Sequence, residues 1–206
     1  MTWTSAFGRT CGWLLDRIVN GLALTRISPN VLTFIGLVIN IVAAFFFGHA
    51  SSVNASRFFF YGGLVIIGAG IFDMVVGRVA RRTNQVTIFG AFFDSVIDRY
   101  SDVVLFFGVL VYYARVNHFR YVVLTAFVMV TSLMVSYTRA RAEALIGQCK
   151  VGFMERPERI VLVILGALFN VMAPVLWVLA VLSTITVVHR IQYTYWNTKH
   201  LAPTAQ

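Results

Sequence analysis

The sequence predicts an all-α integral membrane protein: six transmembrane helices preceded by an N-terminal amphipathic helix lying in the interface. Three observations carry this expectation. Of the 206 residues, 59% are hydrophobic and only 12% are charged, and the mean hydropathy is +0.79. A soluble globular domain is nearer half apolar and carries about twice that charge. Apolar runs of about the 20 residues that a spanning helix needs recur along the chain. Short polar or proline-bearing segments separate them, so the whole of 1–206 reads as one domain.

The elements follow in order. Over residues 7–24, Phe7, Cys11, Leu14, Leu15, Ile18 and Leu22 recur at helical spacing, while Arg9, Asp16, Arg17 and Asn20 fall mostly elsewhere. Such a helix lies in the plane of the interface, and its charges interrupt it too often for a signal peptide. Ser28-Pro29-Asn30 ends that segment and opens the first span. Spans are expected at 31–48, 58–82, 88–113, 119–145, 158–171 and 174–192, together a six-helix bundle over 31–192. Polar connections are expected at 49–56, 82–86, 115–120 and 147–157, with a tight turn at Met172-Ala173-Pro174. Pro157 suits the first turn of the fifth span, and Glu158 its positive end.

Charge sets the orientation. Arg78, Arg81, Arg82, Arg139, Arg141, Lys150, Arg156, Arg159 and Arg190 fall at one end of the spans, against Arg57, Arg115 and Arg120 at the other. The positive-inside rule puts the first group, with both termini, in the cytoplasm. The expectation is a multi-pass protein of the cell's inner (plasma) membrane with its working end facing the cytoplasm. The net charge of +9 is then explained by topology and attraction to anionic membrane lipids. No basic segment interleaved with aromatics argues for nucleic acid as a partner. Cys11 and Cys149 both fall on the cytoplasmic side, where a disulfide is not expected, and no Cys/His cluster suggests zinc.

Half of the eight acidic residues, Asp73, Asp94, Asp98 and Asp102, stand in or beside the apolar spans. A carboxylate at the bilayer centre costs roughly 2.5–3.5 kcal/mol on insertion scales, so intramembrane acids are usually paired and functional. Asp94, Asp98 and Asp102 follow at i, i+4 and share one helix face. The chain reverses between Asp73 and Asp94, which brings them to a similar depth from two antiparallel helices. Such a cluster can hold Mg²⁺ or a similar hard cation that shares oxygens with a substrate phosphate. The alternative is pairing with Arg78, Arg81 or Arg99. Gly77 and Gly90 allow close backbone approach to a ligand, or equally to another helix.

The stretch from Asp73 through Gly77, Ala80, Arg81, Gly90 and Asp94 to Asp98 resembles the signature D-x2-D-G-x2-A-R-x8-G-x3-D-x3-D of the CDP-alcohol phosphotransferase family. The six spans, the interfacial helix and Pro29-Asn30 extend the resemblance over nearly the whole chain. It implies a homodimeric membrane enzyme with two divalent metals, Mg²⁺ or Mn²⁺. Such an enzyme transfers a substituted phosphate from a CDP-linked donor, often CDP-diacylglycerol, to an alcohol and releases CMP. By the resemblance, Asp73 and Asp94 are metal ligands, and Asp98 is a ligand and the general base. Gly77, Ala80, Arg81 and Gly90 correspond to the nucleotide-binding part.

One position departs from the signature. The second aspartate falls at residue 76, and this chain has Val76, whose side chain offers a metal no oxygen. A backbone carbonyl or water replacing the ligand is one explanation. An inactive relative that binds nucleotide or lipid is another. A substitution, deliberate or accidental, that traps a substrate complex is the third.

After the fourth span come Ser136-Tyr137-Thr138-Arg139-Ala140-Arg141-Ala142-Glu143 and Glu155-Arg156-Pro157-Glu158-Arg159. Topology alone could place this basic charge. The functional reading is a second anion pocket, since arginine recognises phosphate through a planar fork of donors. Both segments resemble the branch of the family that makes phosphatidylinositol phosphate. That likeness implies a phosphorylated polyol acceptor held by Arg139, Arg141, Arg156 and Arg190. Inositol phosphate is the expected acceptor, and glycerol 3-phosphate the runner-up. A cation transporter using the acids is disfavoured, because Asp73, Asp94 and Asp98 lie within about three helical turns of the cytoplasmic ends and no matched halves are visible.

Overall fold

The structure, a computed structural model, describes residues 28–82 and 85–199. The interfacial helix expected over 7–24 lies outside the described residues. Six helices follow one another: α1 (Pro29–His49), α2 (Ala55–Arg82), α3 (Ile88–Arg115), α4 (Phe119–Ile146), α5 (Arg156–Leu168) and α6 (Met172–Thr198). No strand occurs among the described residues.

Small residues decide which helices touch. A Cβ on Gly108 of α3 would sit 2.4 Å from the backbone oxygen of Ala44 in α1, and one on Gly62 of α2 would sit 2.4 Å from the Phe47 ring. With lipid as solvent, helices associate through such close backbone packing. α1 is therefore wedged between α2 and α3 and packs on both. Phe47 stacks on Phe59 at 4.9 Å, and Phe59 meets Tyr112 edge-on at 4.9 Å, tying the three helices into one apolar core. α4 packs on α3 and α6, and the short α5 lies against α2 and α6. Phe34, Val38, Ile41 and Phe45 of α1, and Trp177, Val181, Ile185 and Val188 of α6, are exposed. These outward faces suit hydrocarbon rather than water.

Four helices, α1, α2, α4 and α6, are long and apolar enough to cross a membrane, which marks a multi-pass membrane protein. The other two expected spans fall short of that standard for separate reasons. α3 has 28 residues, but Asp94, Asp98, Arg99, Asp102 and Arg115 interrupt its apolar surface. α5 has 13 residues, about 20 Å of helix against a hydrocarbon layer of about 30 Å.

The turn expected at 172–174 lies three residues earlier. α5 ends at Leu168, Asn170 takes a left-handed φ of 54°, and the Val171 N–H donates to the Gly166 carbonyl at 2.9 Å. Pro174 then sits in the first turn of α6, where an N–H has no intrahelical acceptor to lose. α6 also continues past the expected end at 192. Thr194 Oγ1 donates to the Arg190 carbonyl at 2.8 Å and Thr198 Oγ1 to the Thr194 carbonyl at 2.9 Å, and the Lys199 ammonium stands 4.1 Å from the Trp196 ring centre.

Candidate active site

α1, α2 and α3 enclose a cavity of about 320 Å³ lined by Asp73, Val76, Gly77, Ala80, Arg81, Gly90, Asp94 and Asp98, with Asn30 and Thr33 from α1. The spacing along α2 explains its floor. Asp73, Val76, Gly77 and Ala80 recur at i, i+3, i+4 and i+7, one face of a helix. A Cβ on Gly77 would meet only Arg81 Nη2, at 3.7 Å, so glycine here keeps space open. Arg81 folds back along its own helix, its Nε donating to the Gly77 carbonyl at 3.0 Å.

The first turn of α3 closes the rim. Thr87 caps it, accepting from the Gly90 N–H at 2.9 Å, and a Cβ on Gly90 would lie 3.0 Å from Thr87 Oγ1 and 3.4 Å from Asn30 Oδ1. α1 supplies two contacts that sequence reasoning left unassigned. Thr33 Oγ1 donates to Asp94 Oδ1 at 3.3 Å, and Gly36 leaves room for Asp73, whose Oδ1 would be 3.3 Å from an added Cβ. Their only sequence signal is a register: Asn30, Thr33 and Gly36 recur every three residues after Pro29.

The acids are not paired as the sequence suggested. Arg78 and Arg81 are exposed, and Arg99 is spent on the carbonyl and hydroxyl of Ser95. The partner is Arg156, at the start of α5. Its Nη1 lies 2.9 Å from Asp98 and 3.4 Å from Asp73, and its Nε lies 3.4 Å from Asp102. α5 packs against α2, and that brings residue 156 into a cluster more than fifty residues away in sequence.

A hard divalent cation fits the donor chemistry of this cavity. Asp73 from α2 and Asp94 and Asp98 from α3 are oxygen donors lining it, and such a cation commonly takes one or two carboxylates, waters and substrate phosphate. Among the described residues no three His, Cys, Asp or Glu side chains are drawn together as a ready-made metal cage. Val76 is buried in the same wall, 6% exposed, and contributes no donor.

A second cavity, of about 300 Å³, adjoins the first. Asp98, Arg99, Asp102, Ser136, Arg139, Glu155, Arg156, Arg159 and Arg190 line it. Asp98 and Arg156 belong to both. Glu155 joins two of the arginines: its Oε1 accepts from Arg139 Nη1 at 2.7 Å and from Arg190 Nη2 at 3.3 Å. Arg139 also bonds Glu143 at 3.0 Å. Arg190, 1% exposed, donates to the carbonyls of Val135 at 2.5 Å and Val151 at 2.9 Å, so it ties α4 and the 147–155 segment to α6 while standing in the wall.

Arg141 is not brought into this cavity. It is exposed, because two residues along a helix from Arg139 is nearly the opposite face. Arg159, which the sequence left without a role, is in the wall instead. It is 2% exposed, bonds Asp102 Oδ2 at 2.5 Å, and has a buried Nε with no partner.

An acid-lined cavity sharing a wall with an arginine-lined one, at one end of an apolar bundle, is suited to joining two phosphate-bearing molecules at a membrane. The chain belongs to the CDP-alcohol phosphatidyltransferase family, whose family model matches residues 26–191, and it is an enzyme of that transferase class. An archaetidylinositol phosphate synthase of Pyrococcus horikoshii is 36% identical over 178 residues, covering 86% of this chain and 88% of its own. A phosphatidylinositol phosphate synthase of Mycobacteroides abscessus is 36% identical over 186 residues, 86% of this chain and 81% of its own.

Two crystal structures of the Mycobacterium tuberculosis phosphatidylinositol phosphate synthase are similar in fold. The one with CDP-DAG bound has a TM-score of 0.81 at 31% identity, covering 93% of this chain and 98% of that chain. The one in complex with manganese and citrate has a TM-score of 0.80 at 32% identity, covering 93% of each.

Proposed function

We propose that the protein transfers the phosphatidyl group of CDP-diacylglycerol to inositol phosphate and releases CMP, as a step of phospholipid synthesis. The observation that carries this reading is the shared wall: Asp98 and Arg156 stand between an acid- and glycine-lined cavity and an arginine-lined one. A donor diphosphate with its cation suits the first, and an acceptor that itself carries phosphate suits the second. The curated relatives named above differ in the lipid part of their names and share inositol phosphate, which supports the acceptor over glycerol 3-phosphate.

The residues divide the work as follows. Gly77, Ala80 and Gly90 leave space for the nucleotide, and Arg81 stands beside them to meet its charge. Asp73, Asp94 and Asp98 would hold a divalent cation, Mg²⁺ or Mn²⁺, which would supply the charge that neutralises the diphosphate and the leaving oxygen. Asp98 takes the proton of the acceptor hydroxyl as that oxygen bonds to the phosphatidyl phosphorus. The bond from phosphorus to the CMP oxygen breaks, and CMP departs. Arg139, Arg156 and Arg190, with Arg159, hold the acceptor phosphate.

The same reading has the chain as a single domain of six transmembrane helices in the plasma membrane, paired as a homodimer, with the site facing the cytoplasm. The support for that orientation is the arginine excess at the site's end of the bundle. CMP release from CDP-diacylglycerol, compared across inositol phosphate, glycerol 3-phosphate, serine and inositol, tests the reading. Inositol phosphate is expected to be preferred. A preference for an uncharged acceptor overturns the arginine pocket.

A second reading, a nucleotide- or lipid-binding relative with reduced turnover, is favoured by one observation: Val76 occupies the wall where the signature has a carboxylate. The donor would then bind without efficient CMP release.

A further inference from the structure

Asp102 is the innermost of the four aspartates, one helical turn beyond Asp98 on α3 and 4% exposed. It does not line the donor-side cavity, and the mechanism above gives it no part. Its two oxygens face two arginines of α5. Oδ2 accepts from Arg159 Nη2 at 2.5 Å, and Oδ1 lies 3.4 Å from Arg156 Nε, near enough for an ion pair and too misaligned for a hydrogen bond. Both arginines line the acceptor-side cavity.

A lone buried arginine is costly and has many rotamers. A buried carboxylate beneath it removes both problems, provided the pair is well formed. Arg159 has a further anchor, since its Nη1 donates to the Met154 carbonyl at 3.4 Å. With one edge of its fork fixed by Asp102, its Nε is buried and makes no hydrogen bond. The Nε of Arg156 likewise makes no hydrogen bond, its ion pair with Asp102 apart. Two guanidinium groups fixed in a cavity wall suit an anion.

We propose that Asp102 is a positioning residue for the acceptor. It holds Arg156 and Arg159 in the wall of the acceptor-side cavity so that their guanidinium charge meets the acceptor's phosphate, and it thereby sets the selectivity for phosphorylated over uncharged alcohols. The inference rests on the acceptor assignment above and adds a residue to it. Asp102 lines the acceptor-side cavity with the two arginines, where its charge repels rather than binds a phosphate. It acts through the two guanidinium groups, in the way a second carboxylate orients a group that does the contacting.

The experiment is a kinetic and binding comparison of the full-length wild type with Asp102→Asn, Asp102→Glu and Arg159→Lys. Asp102→Asn keeps the shape and removes the charge. It is expected to raise the KM for inositol phosphate about tenfold, the usual scale for a lost hydrogen bond to a charged group, with the KM for CDP-diacylglycerol and kcat changed much less. Asp102→Glu should recover part of the loss. Arg159→Lys, which keeps the charge but not the fork, should follow Asp102→Asn.

Calorimetric binding of inositol phosphate and of inositol, without donor, reads the same pocket independently of turnover. Equal affinity for inositol phosphate in wild type and Asp102→Asn, or equal losses in both substrates' KM, overturns the role of Asp102 and leaves the acceptor assignment standing. A wild type that binds inositol as tightly as inositol phosphate overturns both. If Asp102→Asn cannot be purified folded, Arg159→Lys decides alone, with an unchanged acceptor KM counting against the proposal.

Discussion

Val76 stands where the family signature has a carboxylate. Its burial in the donor-side wall means that a carboxylate there would face the cavity that Asp73, Asp94 and Asp98 share. Val76→Asp is expected to tighten Mg²⁺ binding and raise turnover, by calorimetry and by CMP release. Equal metal affinity in the two forms would show that position 76 is not a ligand position. The acids, glycines and Val76 were legible in the sequence because their chemistry is local: they repeat at helical spacing within about thirty residues. Thr33, Gly36 and Arg156 were not legible as neighbours of the acids. Nothing in a Thr-x-x-Gly register marks a carboxylate's neighbour, and Arg156 reaches the cluster only because α5 packs on α2. Arg81 and Arg99, adjacent to the acids in sequence, bond back to Gly77 and Ser95 of their own helices instead, and Arg78 is exposed.

Among the elements, α1 does the most to build the site. It places Asn30, Thr33 and Gly36 on the donor side, and its position depends on the approach of Gly108 to Ala44. Gly108→Ala is expected to destabilise the protein by about 1–3 kcal/mol, the range for overpacking a tight contact, because the obstructing atom is a backbone oxygen that cannot rotate aside. Thermal unfolding in detergent measures it, and an unchanged midpoint would mean that α1 and α3 separate without cost. Hydropathy located all six helices but not their ends. α5 and α6 were misplaced by a few residues because the break is made by Asn170 in a left-handed conformation rather than by Pro174, which a helix accepts in its first turn. Hydropathy also does not show how short α5 is: its 13 residues make about 20 Å of helix.

For the whole molecule, the placement of charge predicts which end meets the cytoplasm. Val53, between α1 and α2, is 95% exposed, and Phe153, between α4 and α5, is 73% exposed. In intact cells a membrane-impermeant thiol reagent is expected to label Val53→Cys, and to label Phe153→Cys only after permeabilisation. The reverse pattern would invert the bundle and put the nucleotide on the wrong side. Overall class was the most legible property of the sequence, since composition and the Asp73–Asp98 signature point the same way. The join between the two cavities was the least legible, because it depends on three helices distant in sequence.

The account rests on carboxylates from α2 and α3 serving one divalent ion beside the donor. The most direct test is an electron paramagnetic resonance titration of Mn²⁺ with CDP-diacylglycerol present, for the wild type and for Asp94→Asn, whose exposed position spares the packing. The wild type is expected to bind Mn²⁺, and the variant to bind it about tenfold more weakly or worse, one lost charged ligand being worth at least that factor. Identical titrations would contradict the account.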